Sequence, residues 1–176
     1  MSPAACTIRP AIVEDGPAIA RVHVESWRTT YKNIFPESVL DGLSVSARAG
    51  FWTGILAASP ARSVTLVACD TVGQVVGFAS GGAERTGQLA YDGELYALYL
   101  LESGQRRGLG TSLIRRFVSE LQSLGFHSMA VWVLARNPSI RFYEALGGTL
   151  ITQKHIERGG ESYLEVAYGW SDLARF

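Results

Sequence analysis

Residues 94–110 read ELYALYLLESGQRRGLG, and this stretch decides the fold that the sequence predicts. The mostly apolar run at 95–101 predicts a short buried strand, and the polar residues 102–104 predict a turn after it. Residues 105–110 then open a long amphipathic helix. Backbone N–H groups at a glycine-bearing helix start, with the positive end of the helix dipole, form an anion site that suits a diphosphate. The adjacent Arg106 and Arg107 add positive charge there.

This order of strand, polar turn, Gln-Arg-Arg-Gly-Leu-Gly and helix resembles the acetyl-CoA signature of the GCN5-related N-acetyltransferases. The family's usual form is a strand that carries a glutamate, followed by Q/R-x-x-G-x-G/A at a helix start. A second stretch, at 137–148, resembles the family's later helix with its asparagine and tyrosine. The resemblance covers one whole domain, residues 1–176. It implies an α/β fold with a mixed, mostly antiparallel sheet flanked by helices on both faces.

Hydrophobic periodicity and turn residues predict the remaining elements. Strands are expected at 7–9, 63–69, 75–80, 95–101, 129–134, 149–156 and 161–170, and helices at about 14–30, 36–43, 45–58, 110–124 and 138–146. Gly81, Gly82 and Gly87 indicate a loop before the signature strand. The resulting order, a strand, helices, three strands, helix, strand, helix and two strands, agrees with the resemblance.

Bulk properties exclude several classes of function. Sixteen basic and sixteen acidic residues cancel, so no global charge attracts nucleic acid or an anionic membrane. No apolar run approaches the roughly 20 residues of a membrane span, and the first residues lack the pattern of a signal peptide. Cys6 and Cys69 show no metal-type spacing, so no metal site is expected and Cys69 is interpreted as a reduced core residue. These features predict a cytoplasmic protein.

The resemblance implies contacts with acetyl-CoA as co-substrate. The implied cofactor-binding residues are Leu98, Tyr99, Leu100, Gln105, Arg106, Arg107, Gly108, Leu109, Gly110, Thr111, Asn137 and Tyr143. In the family the strand backbone at 98–100 pairs with the pantetheine amides, which requires that strand to separate from the one at 129–134. A fully paired central strand is the alternative. Asn137 either bonds the pantetheine or caps the helix that begins at Pro138.

Acetyl transfer to an amine needs a base, because an aliphatic ammonium has a pKa of about 10.4 and is not nucleophilic at neutral pH. The resemblance implies that Glu94 is this base, acting directly or through water. Simple alternation places Glu94 on one strand face with Tyr96, Leu98 and Leu100, where apolar neighbours would partly desolvate the carboxylate. The alternative is a solvated carboxylate at the strand entrance.

The leaving thiolate needs a proton, and the resemblance implies that Tyr143 donates it. A phenol is a suitable donor to a developing thiolate. The other interpretation of Tyr143 is an aromatic core residue beside Phe142.

Residues 27–36 resemble the loop that borders the acceptor in the family, so Trp27 and Tyr31 are expected to contact the acceptor amine. Ordinary packing is the alternative for both rings. The predicted acceptor is a small-molecule or peptide primary amine of unspecified identity, and a homodimer is compatible with the resemblance. A non-catalytic CoA-binding or sensing module of the same fold is the competing function. A P-loop or dinucleotide fold is disfavoured because the glycine motifs of those folds are absent.

Overall fold

A computed structural model describes residues 6–176, so the first five residues of the predicted domain lie outside the described part. The strands are β1 (Thr7–Pro10), β2 (Ser63–Cys69), β3 (Val75–Ala83), β4 (Gly93–Leu100), β5 (Met129–Leu134), β6 (Thr149–Arg158) and β7 (Glu161–Trp170). They form one sheet in the order β1-β2-β3-β4-β5-β7-β6. Within residues 6–176 only β4 and β5 run parallel, which confirms the mixed, mostly antiparallel sheet.

Helices cover both faces of the sheet, as the resemblance implies. They are α1 (Gly16–Thr30), α2 (Glu37–Asp41), α3 (Val45–Ala58), α4 (Leu109–Ser123) and α5 (Ile140–Ala145). The apolar stripe of α4 packs on one face, and α1 and α3 pack on the other around Trp52 and Phe78. Each fully buried apolar side chain of this kind contributes about 1.5–3 kcal/mol. Within residues 6–176, no helix is long and apolar enough to cross a bilayer.

A β-bulge interrupts the pairing of β3 with β4. Ser80 pairs with Ala97 but Gly81 pairs with Leu95, so Tyr96 is an extra residue on β4. Such a bulge re-aims the side chains that follow it. Gly81 is required here because a β-carbon at this position would overlap the Glu94 carbonyl.

The bulge corrects the predicted placement of Glu94. Leu95 packs against α4, and so do Leu98 and Leu100, which lie at even positions. Because neighbouring side chains point to opposite faces, Glu94 projects toward the α1 face instead, together with Tyr99. The prediction that Glu94 shares a face with Leu98 and Leu100 is therefore wrong, since simple alternation does not anticipate an extra residue.

Two glycines and one helix start also differ from expectation. Gly81 and Gly82 belong to β3 rather than to a loop, because they allow close approach of neighbouring backbone and not a turn. Helix α5 begins at Ile140 instead of Pro138, since residues 137–139 form a turn closed by a bond from Ser139 N–H to Asn137 Oδ1.

The strands β4 and β5 pair at only three positions, from Gly93–Met129 to Leu95–Val131. Beyond these pairs the strands separate, so the separation that the cofactor contact requires is present. At the far side of the sheet, β6 and β7 join through Gly159 and Gly160, whose φ angles are 59° and 79°. A β-carbon at Gly159 would lie 2.5 Å from Val39 on α2, so this turn packs closely against that helix.

His23 is a buried histidine in α1 beneath the sheet. Its Nδ1 accepts a hydrogen bond of 3.1 Å from Trp52 Nε1, and its ring stacks on Tyr99 at 5.2 Å. Burial, with a smaller contribution from the charge of Arg48, lowers the pKa of His23 from 6.5 to about 4. His23 is therefore neutral in the native state across the neutral and mildly acidic range.

This shifted pKa predicts acid-sensitive stability. Between pH 6.5 and about 4 the unfolded chain binds a proton at His23 that the native state does not bind. The stabilising contribution is present above this window and is lost as the pH falls through it, by about 1–2 kcal/mol between roughly pH 7 and pH 5. Urea unfolding of wild type and His23→Gln over this range measures the difference, because the glutamine oxygen still accepts from Trp52. His155→Gln, at an exposed histidine, is the control, and equal slopes for wild type and His23→Gln would contradict the prediction.

Candidate active site

A cleft of about 950 Å³ opens where β4 and β5 separate. It brings together most of the residues that the sequence identified. These cleft-lining residues are Trp27, Tyr31, Glu94, Leu98, Tyr99, Leu100, Gln105, Arg106, Gly108, Gly110, Thr111, Asn137 and Tyr143. The cleft therefore connects the loop before α4 with the aromatic end of α1.

Two of the expected cofactor residues point elsewhere. The side chain of Leu109 is 7% exposed and packs in the core beneath α4. The side chain of Arg107 lines a separate hollow beside Asp70 and Ser103. Arg106 lines the cleft and Arg107 does not, so only one of the adjacent arginines contributes its charge there.

The loop before α4 presents unbonded backbone amides. Arg106 and Gly108 have φ angles of 58° and 75°, in the left-handed region. Helix α4 begins at Leu109, and the N–H of Ser112 donates to the Gly108 carbonyl at 3.0 Å. The amides of residues 106–111 donate to no acceptor within residues 6–176. These are the donors that an anion at a helix start requires.

The residues around Gly110 leave enough space for a side chain at this position. An added β-carbon would lie 3.7 Å from Leu100 and 3.8 Å from the Phe142 ring, which are ordinary contacts. Gln105 closes the turn, since its Nε2 donates to the Leu100 carbonyl at 2.9 Å. A larger residue at Gly110 would therefore affect a ligand in the cleft more than the fold.

Glu94 is 1% exposed, so the solvated carboxylate considered from the sequence is excluded. Its Oε2 accepts from the Arg85 amide at 3.0 Å, and its Oε1 accepts from Arg85 Nε at 3.2 Å and also from Nη2. The Arg85 guanidinium also lies 4.0 Å from the centre of the Tyr96 ring. Burial lowers the pKa of Arg85, but the bond and charge of Glu94 outweigh it and raise that pKa overall. Sequence reasoning missed Arg85, because nothing in the loop sequence indicates this pairing.

Tyr143 is both a core residue and a cleft residue. Its ring packs against Phe142 and Trp170 and the residue is 5% exposed. Burial, followed by the nearby hydroxyl of Tyr31, raises the pKa of Tyr143, which keeps its proton on the phenol. The hydroxyl makes no hydrogen bond within residues 6–176, and the residue lines the cleft, so this group is available to a ligand.

Asn137 connects the end of α1 with the start of α5. Its Nδ2 donates to the Tyr31 hydroxyl at 3.3 Å, and its Oδ1 accepts from Ser139 N–H at 2.9 Å. The oxygen therefore closes the turn at 137–139 and does not cap α5, whose N-cap residue is Ser139. The residue also lines the cleft, so the contact with pantetheine stays a prediction.

Two of the aromatic residues at 27–36 are buried. Trp27 lies in the last turn of α1, and Tyr31 and Phe35 are 7% and 5% exposed. Tyr31 packs edge-on against Trp27 at 4.9 Å and lies 5.2 Å from Phe35. Trp27 and Tyr31 still line the cleft, so packing and cleft lining coexist in both rings.

Sequence reasoning also missed a group of side chains on β5, β6 and β7 that line the cleft. They are Trp132, Lys154, Arg158 and Glu165. Alternation along a strand predicts which side chains of that strand share a face. The register between β6 and β7 is also needed to predict that residues of different strands meet in the cleft. Ser26 Oγ, Trp27 Nε1 and Trp132 Nε1 are buried without a partner within residues 6–176, and all three residues line this cleft. Buried unpaired polar atoms of this kind call for an explanation such as a ligand.

Comparisons with known proteins agree with this geometry. The model of a family described as FR47-like protein matches residues 76–156. A Bacillus subtilis protein described as the uncharacterized N-acetyltransferase YuaI is 44% identical over 168 residues, covering 96% of this chain and 94% of that protein.

Solved structures share the fold. The yncA structure from Salmonella typhimurium, with its cofactor acetyl-CoA, has a TM-score of 0.70 at 23% identity, covering 96% of this chain and 94% of that one. PaiA N-acetyltransferase from Thermoplasma acidophilum, in complex with coenzyme A, has a TM-score of 0.66 at 19% identity, covering 92% and 98%. The relative from Bacillus subtilis spans nearly the whole chain at 44% identity, so this chain belongs to the GCN5-related N-acetyltransferase family.

Proposed function

We propose that this chain transfers an acetyl group from acetyl-CoA directly to a primary amine, in a complex that holds both substrates. One observation carries the proposal: a single cleft joins the unbonded amides before α4, the part of β4 without a β5 partner, and the hydroxyl of Tyr143. The relative structure named with its cofactor acetyl-CoA supports the choice of co-substrate.

The residues present fit acetyl-CoA. The amides of residues 106–111 and the guanidinium of Arg106 would hold its diphosphate, because both donate hydrogen bonds to an anion. The backbone at 98–100 has no β5 partner, so it would pair with the pantetheine amides. When bound, acetyl-CoA would supply the acetyl thioester. The side chains of Arg107 and Leu109 would not contact acetyl-CoA, because they lie outside the cleft. These two residues would contribute their backbone amides.

Two side chains would move protons. Tyr143 would donate its phenolic proton toward the leaving sulfur, since its hydroxyl lines the cleft without another partner. Glu94 is almost fully buried and both of its oxygens bond Arg85, so it would receive the proton of the amine through a water molecule rather than by direct contact.

The acceptor would enter beside Trp27 and Tyr31. These rings line the cleft at the end of α1. We further propose that the chain forms one domain, which the single seven-stranded sheet supports. We also propose a cytoplasmic location, which the free cysteines Cys6 and Cys69 support. A homodimer stays a prediction.

The direct test is release of free thiol from acetyl-CoA in the presence of pools of amines. Aliphatic amines, amino acids, polyamines and lysine peptides cover the classes of acceptor. Thiol release that depends on one pool supports the transferase. Tight binding of acetyl-CoA without release for any pool would instead support the non-catalytic module.

Replacement of Gly110 by valine should raise the Kd for acetyl-CoA at least about tenfold, or roughly 1.4 kcal/mol. The fold has room for the β-carbon, whereas the approach of phosphate to the amides would be blocked. Calorimetry measures the affinity. Gly54→Val in α3, where a β-carbon meets nothing within 4 Å, is the matched control for the cost of valine in a helix. Equal affinities for wild type and Gly110→Val would refute the phosphate site.

Tyr143→Phe should lower kcat by about 10²-fold and leave the affinity for acetyl-CoA nearly unchanged, because only the proton donor is removed. Tyr168→Phe is the control, since that hydroxyl bonds Glu144 instead of facing the cleft. Steady-state kinetics with the best acceptor measure both variants. A wild-type kcat for Tyr143→Phe would rule out the acid role.

Glu94→Gln should lower kcat and flatten its rise with pH between about pH 6 and 9, because the amide cannot take up a proton. Arg85→Gln is the comparison, because it breaks the same ion pair but keeps the carboxylate. If Glu94 served only to hold Arg85, the two variants would give the same pH–rate profile. Melting curves must accompany both, since Arg85→Gln leaves the buried Glu94 carboxylate without its partner and Glu94→Gln leaves Arg85 without its partner.

A further inference from the structure

A carboxylate, an aromatic ring and a lysine form a cluster in the cleft. Glu165 of β7 and Lys154 of β6 are cross-strand partners, and Glu165 Oε2 lies 3.8 Å from Lys154 Nζ. The same Nζ lies 3.9 Å from the centre of the Trp132 ring on β5. A carboxylate and the face of an indole both attract an ammonium ion. Together they form a site for one ammonium group, and Lys154 fills it.

Lys154 is held loosely in this site. Its side chain is 37% exposed, its only ion pair within residues 6–176 is the one at 3.8 Å, and it donates no hydrogen bond there. Ion pairs with this exposure contribute only about 0–1 kcal/mol. Another ammonium group could therefore take the place of Lys154 at little cost.

Glu165 and Trp132 both lack hydrogen-bond partners. The side chain of Glu165 is 20% exposed and accepts no hydrogen bond within residues 6–176. Trp132 Nε1 is buried without an acceptor in the same range. The Glu165 carboxylate is therefore the acceptor that an ammonium group can bond here. The Trp132 N–H is itself a donor, so this residue would contribute the face of its ring.

Within residues 6–176, Lys154 is the one cation in an ion pair with Glu165. Arg85 is neutralised by Glu94, and the guanidinium of Arg158 lies over the Trp27 ring at 5.1 Å, packed against the end of α1. Burial raises the pKa of Glu165, while Lys154, Arg158 and Arg85 oppose this shift and Glu94 adds to it. If Lys154 left without replacement, Glu165 would keep only distant cations.

We propose that Glu165 and the ring of Trp132 form the subsite for the ammonium group of the acceptor, which displaces Lys154 on binding. This inference rests on the proposed function and adds the class of acceptor to it. Exchange of one ammonium for another leaves the net charge of the site unchanged. The acceptor is therefore an aliphatic primary amine that is protonated at neutral pH, and not a weakly basic arylamine.

Binding of benzylamine to the protein saturated with CoA tests this subsite without any transfer reaction. Glu165→Gln should raise the Kd for benzylamine about tenfold, and Lys154→Met should lower it because the competing ammonium is gone. Glu157→Gln, at an exposed glutamate of β6 outside the cleft, is the matched control. Benzyl alcohol, a neutral molecule of the same shape, should bind wild type and Glu165→Gln with equal affinity.

A pH series adds a second readout. Protonation of Glu165 removes its charge, so the affinity of wild type for benzylamine should fall as the pH decreases toward the raised pKa of this carboxyl, and Glu165→Gln should lack that dependence. Equal benzylamine affinities for wild type and Glu165→Gln would overturn the inference. So would no binding to wild type at concentrations up to roughly 10 mM. Either result leaves the proposed transfer intact, because failure of the transferase shows itself as absence of thiol release from acetyl-CoA with every amine.

Discussion

Three residue pairs hold β4 and β5 together, and beyond Leu95 the strands separate. A sheet normally satisfies its backbone groups by pairing neighbouring strands, so the separation leaves an edge in the middle of the molecule. The surrounding elements are arranged about that edge: the α4 loop lies at one end of the gap, α5 and its tyrosine beside it, and the α1 aromatics on the opposite face. The cleft is therefore a consequence of backbone geometry, and the side chains add chemistry to it.

The charges in the cleft are arranged in pairs of different strength. Glu94 accepts three hydrogen bonds from Arg85 and is almost inaccessible, whereas Glu165 has one ion pair, with Lys154 at 3.8 Å, and no hydrogen bond within residues 6–176. Burial strengthens both the attraction within a pair and the cost of leaving a charge alone. The pair of Glu94 and Arg85 is consequently a fixed part of the cleft lining. The pair of Glu165 and Lys154 is the one that a ligand can rearrange.

Much of the fold could be predicted from the sequence, because it depends on local patterns. Helix α3 spans Val45–Ala58 as predicted despite Gly50 and Gly54, since these glycines cost helix propensity but disturb no packing. The placement of Glu94 could not be predicted, because one bulged residue reverses the faces of a strand. The pairing of Glu94 with Arg85, and of Glu165 with Lys154, depends on loop conformation and hairpin register, which no local pattern specifies. The roles proposed for these residues accordingly depend on the structure.

The turn between β6 and β7 has a consequence for how this cleft can change in evolution. A β-carbon at Gly159 would lie 2.5 Å from Val39 Cγ2, so a side chain there would force the valine or the hairpin to shift. Both glycines of the turn also have backbone angles that other residues rarely adopt. The tip of the hairpin is thus closed to substitution, while Lys154 and Ile156, further down β6, face the cleft without such a constraint. Relatives that handle acceptors of different size would be expected to vary at these strand positions and to retain the turn.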